Sequence, residues 1–218
     1  TGSVGVVTIN VNRLAYEGKK AGRQEGGKVF FKLLQKYINL SGESLEKKRE
    51  VVEKSLKDGL MPYSKFYLGS VKNHFSTIGL CGANEACLNL LGKDLTTKEG
   101  QEFIIETLNF MKDELVKIQK KTGHLYNLEA TPAESTAFRF ALLDQKLCPG
   151  IKLAGTKESP YLTNSTQLPV DFSTDIWEAL ELQSEIQSLY TGGTIFHTFL
   201  GEEMENWESA KILVKKIA

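Results

Sequence analysis

Along this chain the spacing of apolar residues switches back and forth between strand and helix periods. Val4-Gly5-Val6-Val7-Thr8-Ile9-Asn10-Val11 is β-branched and nearly continuous, which predicts a strand covered on both faces. A Gly- and Lys-rich connection spans 18–27. Phe30, Leu33, Leu34, Tyr37 and Ile38 then recur at helical spacing, and the pattern continues through Leu45 and Val52 to Leu56, with Gly59 as a stop. Residues 61–75 are irregular, rich in aromatics and glycine, and read as a long surface excursion. A short helix is predicted over 84–91, closed by Gly92, and a long one over 99–121. In the long helix Thr96 and Glu99 form a capping box, Ile104, Leu108, Met111, Leu115 and Ile118 form the buried stripe, and Gly123 sits past the end.

The remaining pattern predicts a strand over 124–130, a helix over 132–146, a strand around 161–166, a helix over 175–189, a strand over 194–199 and a helix over 204–217. Strands alternating with helices place the chain in the α/β class, a largely parallel half-sheet with flanking helices. Ligands of such sheets collect at the carboxyl ends of the strands, where the loops converge. That rule selects the stretch after Asn10, the loop 131–136, the segment 164–167, and the residues around Gly192, Gly193 and His197.

Three of these loops carry chemistry. Asn127-Leu128-Glu129-Ala130-Thr131-Pro132-Ala133-Glu134-Ser135-Thr136 reads as a buried strand running straight into a helix, with Thr131 as N-cap, Pro132 at the first helical position and Glu134 closing a capping box. The free amides and positive dipole end of such a helix suit a phosphate, and Ser135 and Thr136 add hydroxyls. Glu134 counts against an anion, and a well-capped helix that binds nothing fits the same residues. Thr163-Asn164-Ser165-Thr166-Gln167-Leu168-Pro169 gathers uncharged donors and acceptors suited to a ribose, an amide or a phosphate rim, or to an ordinary turn. Gly192 and Gly193 before a strand admit a close ligand or neighbouring backbone, or serve a tight turn, and His197 in an apolar run reads as a core histidine. Thr77-Ile78-Gly79-Leu80-Cys81-Gly82-Ala83-Asn84-Glu85 is a Gly-punctuated strand end or loop entering a helix. In it Cys81 is either a reactive thiol or an inert small hydrophobe, and Glu85 favours the helix dipole.

Composition narrows the classes. The 218 residues, 41% hydrophobic, suit one globular domain or a large part of one, able to bury roughly 70% of its unfolded surface. With 27 basic and 27 acidic side chains, nothing electrostatic argues for a nucleic-acid or membrane partner. No apolar run approaches the ~18 residues of a membrane span, and no signal peptide is visible. Cys81, Cys87 and Cys148, an odd count without a Cys-x-x-Cys pair, argue against a disulfide framework or thiolate zinc site and point to a reducing cytoplasm. The start at Thr1, without methionine, fits an excerpt of something longer.

Five strings occur in order: Val6-Val7-Thr8-Ile9-Asn10-Val11-Asn12-Arg13, Thr77–Glu85, Glu129–Thr136, Tyr161-Leu162-Thr163-Asn164-Ser165-Thr166-Gln167-Leu168-Pro169-Val170, and Tyr190-Thr191-Gly192-Gly193-Thr194-Ile195-Phe196-His197. Together they resemble the class III anaerobic ribonucleoside-triphosphate reductases, glycyl-radical enzymes of DNA precursor synthesis. The resemblance implies a ten-stranded α/β barrel of two parallel half-sheets set antiparallel around a finger loop, with residues 1–218 a single partial domain forming the second half. It implies that Thr131, Ala133, Ser135 and Thr136 belong to a helix start cradling substrate phosphates. Asn164, Ser165, Thr166, Gly192 and Gly193 would line or support the nucleotide cavity.

The resemblance further implies a ribonucleoside triphosphate, the other half of the barrel and a radical activase as partners, and a homodimeric parent. The family's cofactor is a glycyl radical generated by an S-adenosylmethionine/iron–sulfur activase, with a structural zinc outside this segment; no cofactor is expected in this chain. Departures from the family pattern matter as much. No Arg-x-x-Gly-Tyr radical setting or zinc knuckle follows Gly201, and the three cysteines match neither the thiyl position on the finger loop nor the knuckles. The 218 residues by themselves are therefore expected to store no radical and to turn over nothing. The alternative is a catalytically silent binding or assembly module, a split or degenerate reductase half. Another glycyl-radical enzyme with a non-nucleotide substrate fits these motifs less well.

Overall fold

The computed structural model describes residues 2–22, 24–170, 172, 175–197, 203–204 and 206–217. The chain opens with strand β1 (Ser3–Asn10) and passes without a loop into helix α1 (Val11–Lys20). Asn10 makes this switch possible: its side chain accepts from the Arg13 amide at 3.0 Å and caps the helix. Helix α2 (Gly26–Lys57) starts inside the expected Gly-rich connection, and the expected surface excursion contains a short helix, α3 (Pro62–Leu68).

Strand β2 (Phe75–Cys81) then crosses the centre of the molecule, followed by α4 (Ala83–Leu90) and α5 (Lys98–Thr122). The cap of α5 is Thr97, not Thr96: Thr97 Oγ1 accepts from Gly100 N at 3.2 Å, while Thr96 Oγ1 donates to Asp94 at 2.6 Å. Gly123 ends α5 at φ 74°, the left-handed stop its position predicts. Strand β3 (Tyr126–Leu128), helix α6 (Glu134–Leu147), a two-residue antiparallel pair β4 (Ala154–Gly155) and β5 (Pro160–Tyr161), α7 (Ile176–Ser188) and α8 (Trp207–Ile217) complete the described elements.

The main sheet has the order β1-β2-β3, all parallel, with Asn10 opposite Cys81 and Ile78 opposite Leu128. Parallel neighbours require crossovers, here α1–α3 between β1 and β2, and α4–α5 between β2 and β3. One core joins Ile9, Ile78, Leu80 and Leu128 of the sheet to Phe30, Leu34, Ile38 and Leu45 of α2 and Ile104, Leu108, Met111 and Leu115 of α5. Phe30 and Phe103 meet at 5.0 Å between ring centroids. The central strand β2 and the short β3 are covered on both faces, whereas β1 is not. Val6 of the edge strand β1 is 42% exposed, against the expectation for that run.

Two expected strands take another form. Residues 162–166, buried except for the half-buried Asn164, are not a strand, because their backbone groups bond to the β2–α4 turn rather than to a ladder. Residues 194–197 are likewise not a strand, and 198–199 lie outside the described residues. No described helix is long and apolar enough to cross a membrane.

Candidate functional site

The parallel register brings the carboxyl ends of β1, β2 and β3 to one rim, and each end has a different task. At β1, Asn10 Nδ2 donates to Asp144 Oδ2 at 2.9 Å, and Arg13 Nε donates to Asp144 Oδ1 at 2.7 Å. Asp144 is fully buried, so this charged pair moors α6 against β1. Asn12 and Asn89 share a buried bond of 2.7 Å, and both hold the Lys152 carbonyl, fixing the turn after α6.

At β2, the turn Cys81-Gly82-Ala83 accommodates residues 163–165. Gly82 N donates to the Thr163 carbonyl at 2.9 Å and Ala83 N to the Ser165 carbonyl at 3.3 Å. Gly82 sits at φ 82°, and a Cβ there would meet Leu162 at 3.1 Å. Glu85, with no exposed surface, accepts from both the amide (2.9 Å) and the hydroxyl (2.6 Å) of Thr163. Burial raises the Glu85 carboxyl above its ordinary value, although the Thr163 bonds pull the other way. Burial, reinforced by the nearby Glu85, pushes the Cys81 thiol up to about 12, so it carries almost no thiolate at neutral pH. Of the two readings of Cys81, the inert one holds.

At β3 the chain stays extended past Leu128. Glu129 N donates to the Ile78 carbonyl and Ala130 N to the Gly193 carbonyl, at 3.1 and 3.0 Å. Those bonds delay the helix. α6 begins at Glu134 behind Ala133, which offers no side-chain cap, and neither Thr131 nor Pro132 performs the expected capping role. Thr131 instead lies against Gly79 of β2, and its Oγ1 is buried without a hydrogen-bond partner. The amides of Glu134, Ser135 and Thr136 open the helix, where the α-helical ladder supplies no acceptor. Ser135 is exposed and Thr136 half-buried.

Residues 164–167 form a clamped turn. Tyr190 Oη lies 2.8 Å from Ser165 Oγ and 3.0 Å from Thr166 Oγ1, and Gln183 Nε2 donates to the Thr166 carbonyl. Burial pushes the Tyr190 phenol up to about 12, so it remains a neutral hydroxyl. Ser165 adopts φ 47°, the one left-handed non-glycine residue among those described. Gln167 uses both ends of its amide on the chain passing opposite, donating to the Ile195 carbonyl and accepting from His197 N. Asn164 differs from these neighbours: its Oδ1 is buried and has no partner among the described residues.

A cavity of about 360 Å³ lies between the start of α6, the 161–170 segment and α7. Glu134 and Ala137 of α6 form one wall, Tyr161 to Asn164 and Gln167 to Val170 another, and Ile176 and Ala179 of α7 a third, with His197 at the side. Apolar groups dominate; the polar groups are Glu134, Tyr161, Thr163, Asn164, Gln167, Asp175 and His197, with no lysine or arginine among the described residues.

A family model described as anaerobic ribonucleoside-triphosphate reductase matches residues 1–218. The chain belongs to that family. It is 26% identical over 210 residues to the anaerobic ribonucleoside-triphosphate reductase of Enterobacteria phage T4, covering 94% of this chain and 34% of the phage protein. It is 28% identical over 121 residues to the Haemophilus influenzae reductase, covering 55% and 17%. Among solved structures, the Thermotoga maritima anaerobic ribonucleotide reductase in complex with dATP and CTP superposes with a TM-score of 0.78 at 25% identity, over 99% of this chain and 35% of that one. The same enzyme with MES in its active site gives 0.77 at 26%, over 99% and 35%. The chain thus spans about a third of the length of the phage and Thermotoga reductases. Its α/β sheet with flanking helices matches their barrel fold.

Of the nine sequence-predicted residues, Thr131, Ala133, Ser135 and Thr136 lie at or before the start of α6 and are not among those lining the cavity, and the other five fall into three groups. Asn164 lines the cavity beside the first turn of α6. Ser165 and Thr166 stand behind it, their hydroxyls engaged by Tyr190. Gly192 and Gly193 lie along β3: Gly192 N donates to the Leu128 carbonyl at 2.8 Å, and a Cβ at Gly192 would come within 2.6 Å of Asn127 Nδ2. The glycine there admits a neighbouring backbone. Sequence reasoning gave Glu85 only a dipole role and gave Tyr190 none. Neither has a local signal for its partner, which lies 78 and 25 residues away along the chain.

Proposed function

We propose that this chain forms the substrate-holding half of an anaerobic ribonucleoside-triphosphate reductase, an oxidoreductase that converts ribonucleoside triphosphates to their 2′-deoxy forms by radical chemistry. The start of α6, with the amides of Glu134 to Thr136 and the hydroxyls of Ser135 and Thr136, receives the phosphates. Asn164 receives a ribose hydroxyl, since an unpaired buried carbonyl oxygen calls for a donor, which a phosphate oxygen is not. The observation that carries the reading is that Glu134 and Ala137, in the first turn of α6, line one cavity together with Asn164. Glu134 and Asp175 on that cavity oppose an anion, so the phosphates are assigned outside it, beside the exposed Ser135.

The radical, its activase, the remaining half of the barrel and a homodimeric, cytoplasmic parent belong to this same proposal. A structural zinc has no fit among the described residues, where no three His, Cys, Asp or Glu side chains converge, and the cysteines are buried free thiols. Calorimetric titration of the chain with a ribonucleoside triphosphate tests the reading, wild type beside Ser135→Ala/Thr136→Ala and Asn164→Ala. Each variant is expected to weaken binding by roughly 1–3 kcal/mol. Undiminished affinity in both would remove the phosphates from this helix start and the ribose from Asn164. The 218 residues with any activase are expected to form no deoxyribonucleotide, and measured turnover would overturn that expectation.

A second reading, a catalytically silent assembly module, draws on Val6 of the edge strand and Phe138 and Leu143 of α6, each more than 40% exposed. It predicts concentration-dependent self-association in sedimentation runs, together with no nucleotide binding.

A further inference from the structure

We propose that Glu85 is a positioning residue for nucleotide binding, holding Thr163 by two hydrogen bonds so that Asn164 faces the cavity. The inference rests on the proposed reading of that cavity. Glu85 stands at the third position of α4, fully buried, and no ion pair to it occurs among the described residues. A buried carboxylate without a cation is costly, and the fold of α4 alone does not call for one. What a carboxylate offers here is two acceptor oxygens set side by side. Oε2 takes the Thr163 amide at 2.9 Å and Oε1 takes its hydroxyl at 2.6 Å, so one residue of the opposing segment is fixed in both position and rotation.

The need for such a grip lies one residue further on. Ser165 is held at φ 47°, a conformation that persists only where its surroundings over-determine it. Glu85 grips the turn before that point, while Tyr190 and Gln183 grip it at Ser165 and Thr166. Between the two grips lies Asn164, lining the cavity with an Oδ1 that has no hydrogen-bond partner among the described residues. Releasing Glu85 frees the Asn164 side, while Tyr190 still secures the far side.

The test compares Glu85→Ala, Glu85→Gln and Asn164→Ala in the full chain. Gln retains one acceptor for the amide and can donate to the Thr163 hydroxyl, so it rescues the geometry. Amide hydrogen exchange over 162–167 should speed up by roughly ten- to hundredfold in Glu85→Ala and stay near wild type in Glu85→Gln, with α2 and α5 unchanged. Ribonucleoside-triphosphate affinity should fall by a similar factor in Glu85→Ala and in Asn164→Ala, and no further in the double variant, because the first acts through the second. Unchanged exchange in folded Glu85→Ala, a Glu85→Gln as loose as Ala, or additive affinity losses would each overturn the proposal. Loosened exchange with no nucleotide binding even in wild type would keep Glu85 as the anchor of the turn and count against the nucleotide reading instead. If Glu85→Ala fails to fold, Thr163→Val removes the hydroxyl bond alone and should loosen the same segment by a smaller factor.

Discussion

Tyr190→Phe deletes one oxygen atom and leaves the ring packing intact, so its effect isolates the hydroxyl at the centre of the 164–167 clamp. That oxygen serves two partners, Ser165 Oγ at 2.8 Å and Thr166 Oγ1 at 3.0 Å. Ser165 is 2% exposed and Thr166 0%, so water does not replace it. Two neutral hydrogen bonds contribute about 1 kcal/mol each, and a buried hydroxyl left unpaired adds up to a similar amount; relief of the phenol's own desolvation offsets part of this. The expected loss is about 2 kcal/mol, which lowers Tm by roughly 4–8 °C in a domain of this size. Urea unfolding followed by circular dichroism measures it, with an unchanged m-value showing that the compactness of neither state has shifted. Ribonucleoside-triphosphate affinity should fall in the same variant, because the turn presenting Asn164 loses its far anchor. A stability change below about 0.5 kcal/mol would mean that the two hydroxyls pair elsewhere and that Tyr190 does not hold the turn.

Two further perturbations follow from close packing and from charge. Gly192→Ala should cost about 1–3 kcal/mol in the same urea assay, because the new methyl group meets Asn127 Nδ2 at 2.6 Å and Glu129 Cβ at 3.1 Å, while Gly193→Ala, with nothing nearer than 3.9 Å, should stay within about 0.5 kcal/mol. Equal costs at the two positions would refute a requirement for close approach at Gly192. For Glu85, burial raises the folded carboxyl above the ordinary 4.5, so the folded state holds the proton more tightly than the unfolded one. Its stabilising contribution is fully present below 4.5 and is lost as pH rises through the folded value. The stability of wild type relative to Glu85→Gln should therefore decline across that window and level off above it; a difference that rises with pH would show the carboxylate to be favoured by its site.

How much of this was legible beforehand depended on whether a residue's partner was near it in sequence. Helices α2 and α5 announce themselves through long apolar stripes, and Gly123 marks the end of α5 because only the local backbone matters there. The switch from β1 to α1 was harder to see: Val11 continues the β-branched run, and the cap on Asn10 is overshadowed by it. Thr131-Pro132 shows the opposite error, a strong local capping signal overridden by tertiary bonds. Glu129 and Ala130 are held to Ile78 and Gly193, so the chain cannot coil until Glu134. In the candidate site the same division decides which polar residues remain available. Ser165, Thr166 and Gln167 looked equivalent to Asn164 in sequence, yet Tyr190, Ile195 and His197 engage them from more than twenty residues away. Buried polar groups must be satisfied, so most of a polar motif is consumed in holding its own shape. Asn164 Oδ1, which has no partner among the described residues and belongs to a residue lining the cavity, is therefore a better pointer to the ligand than the motif that contains it.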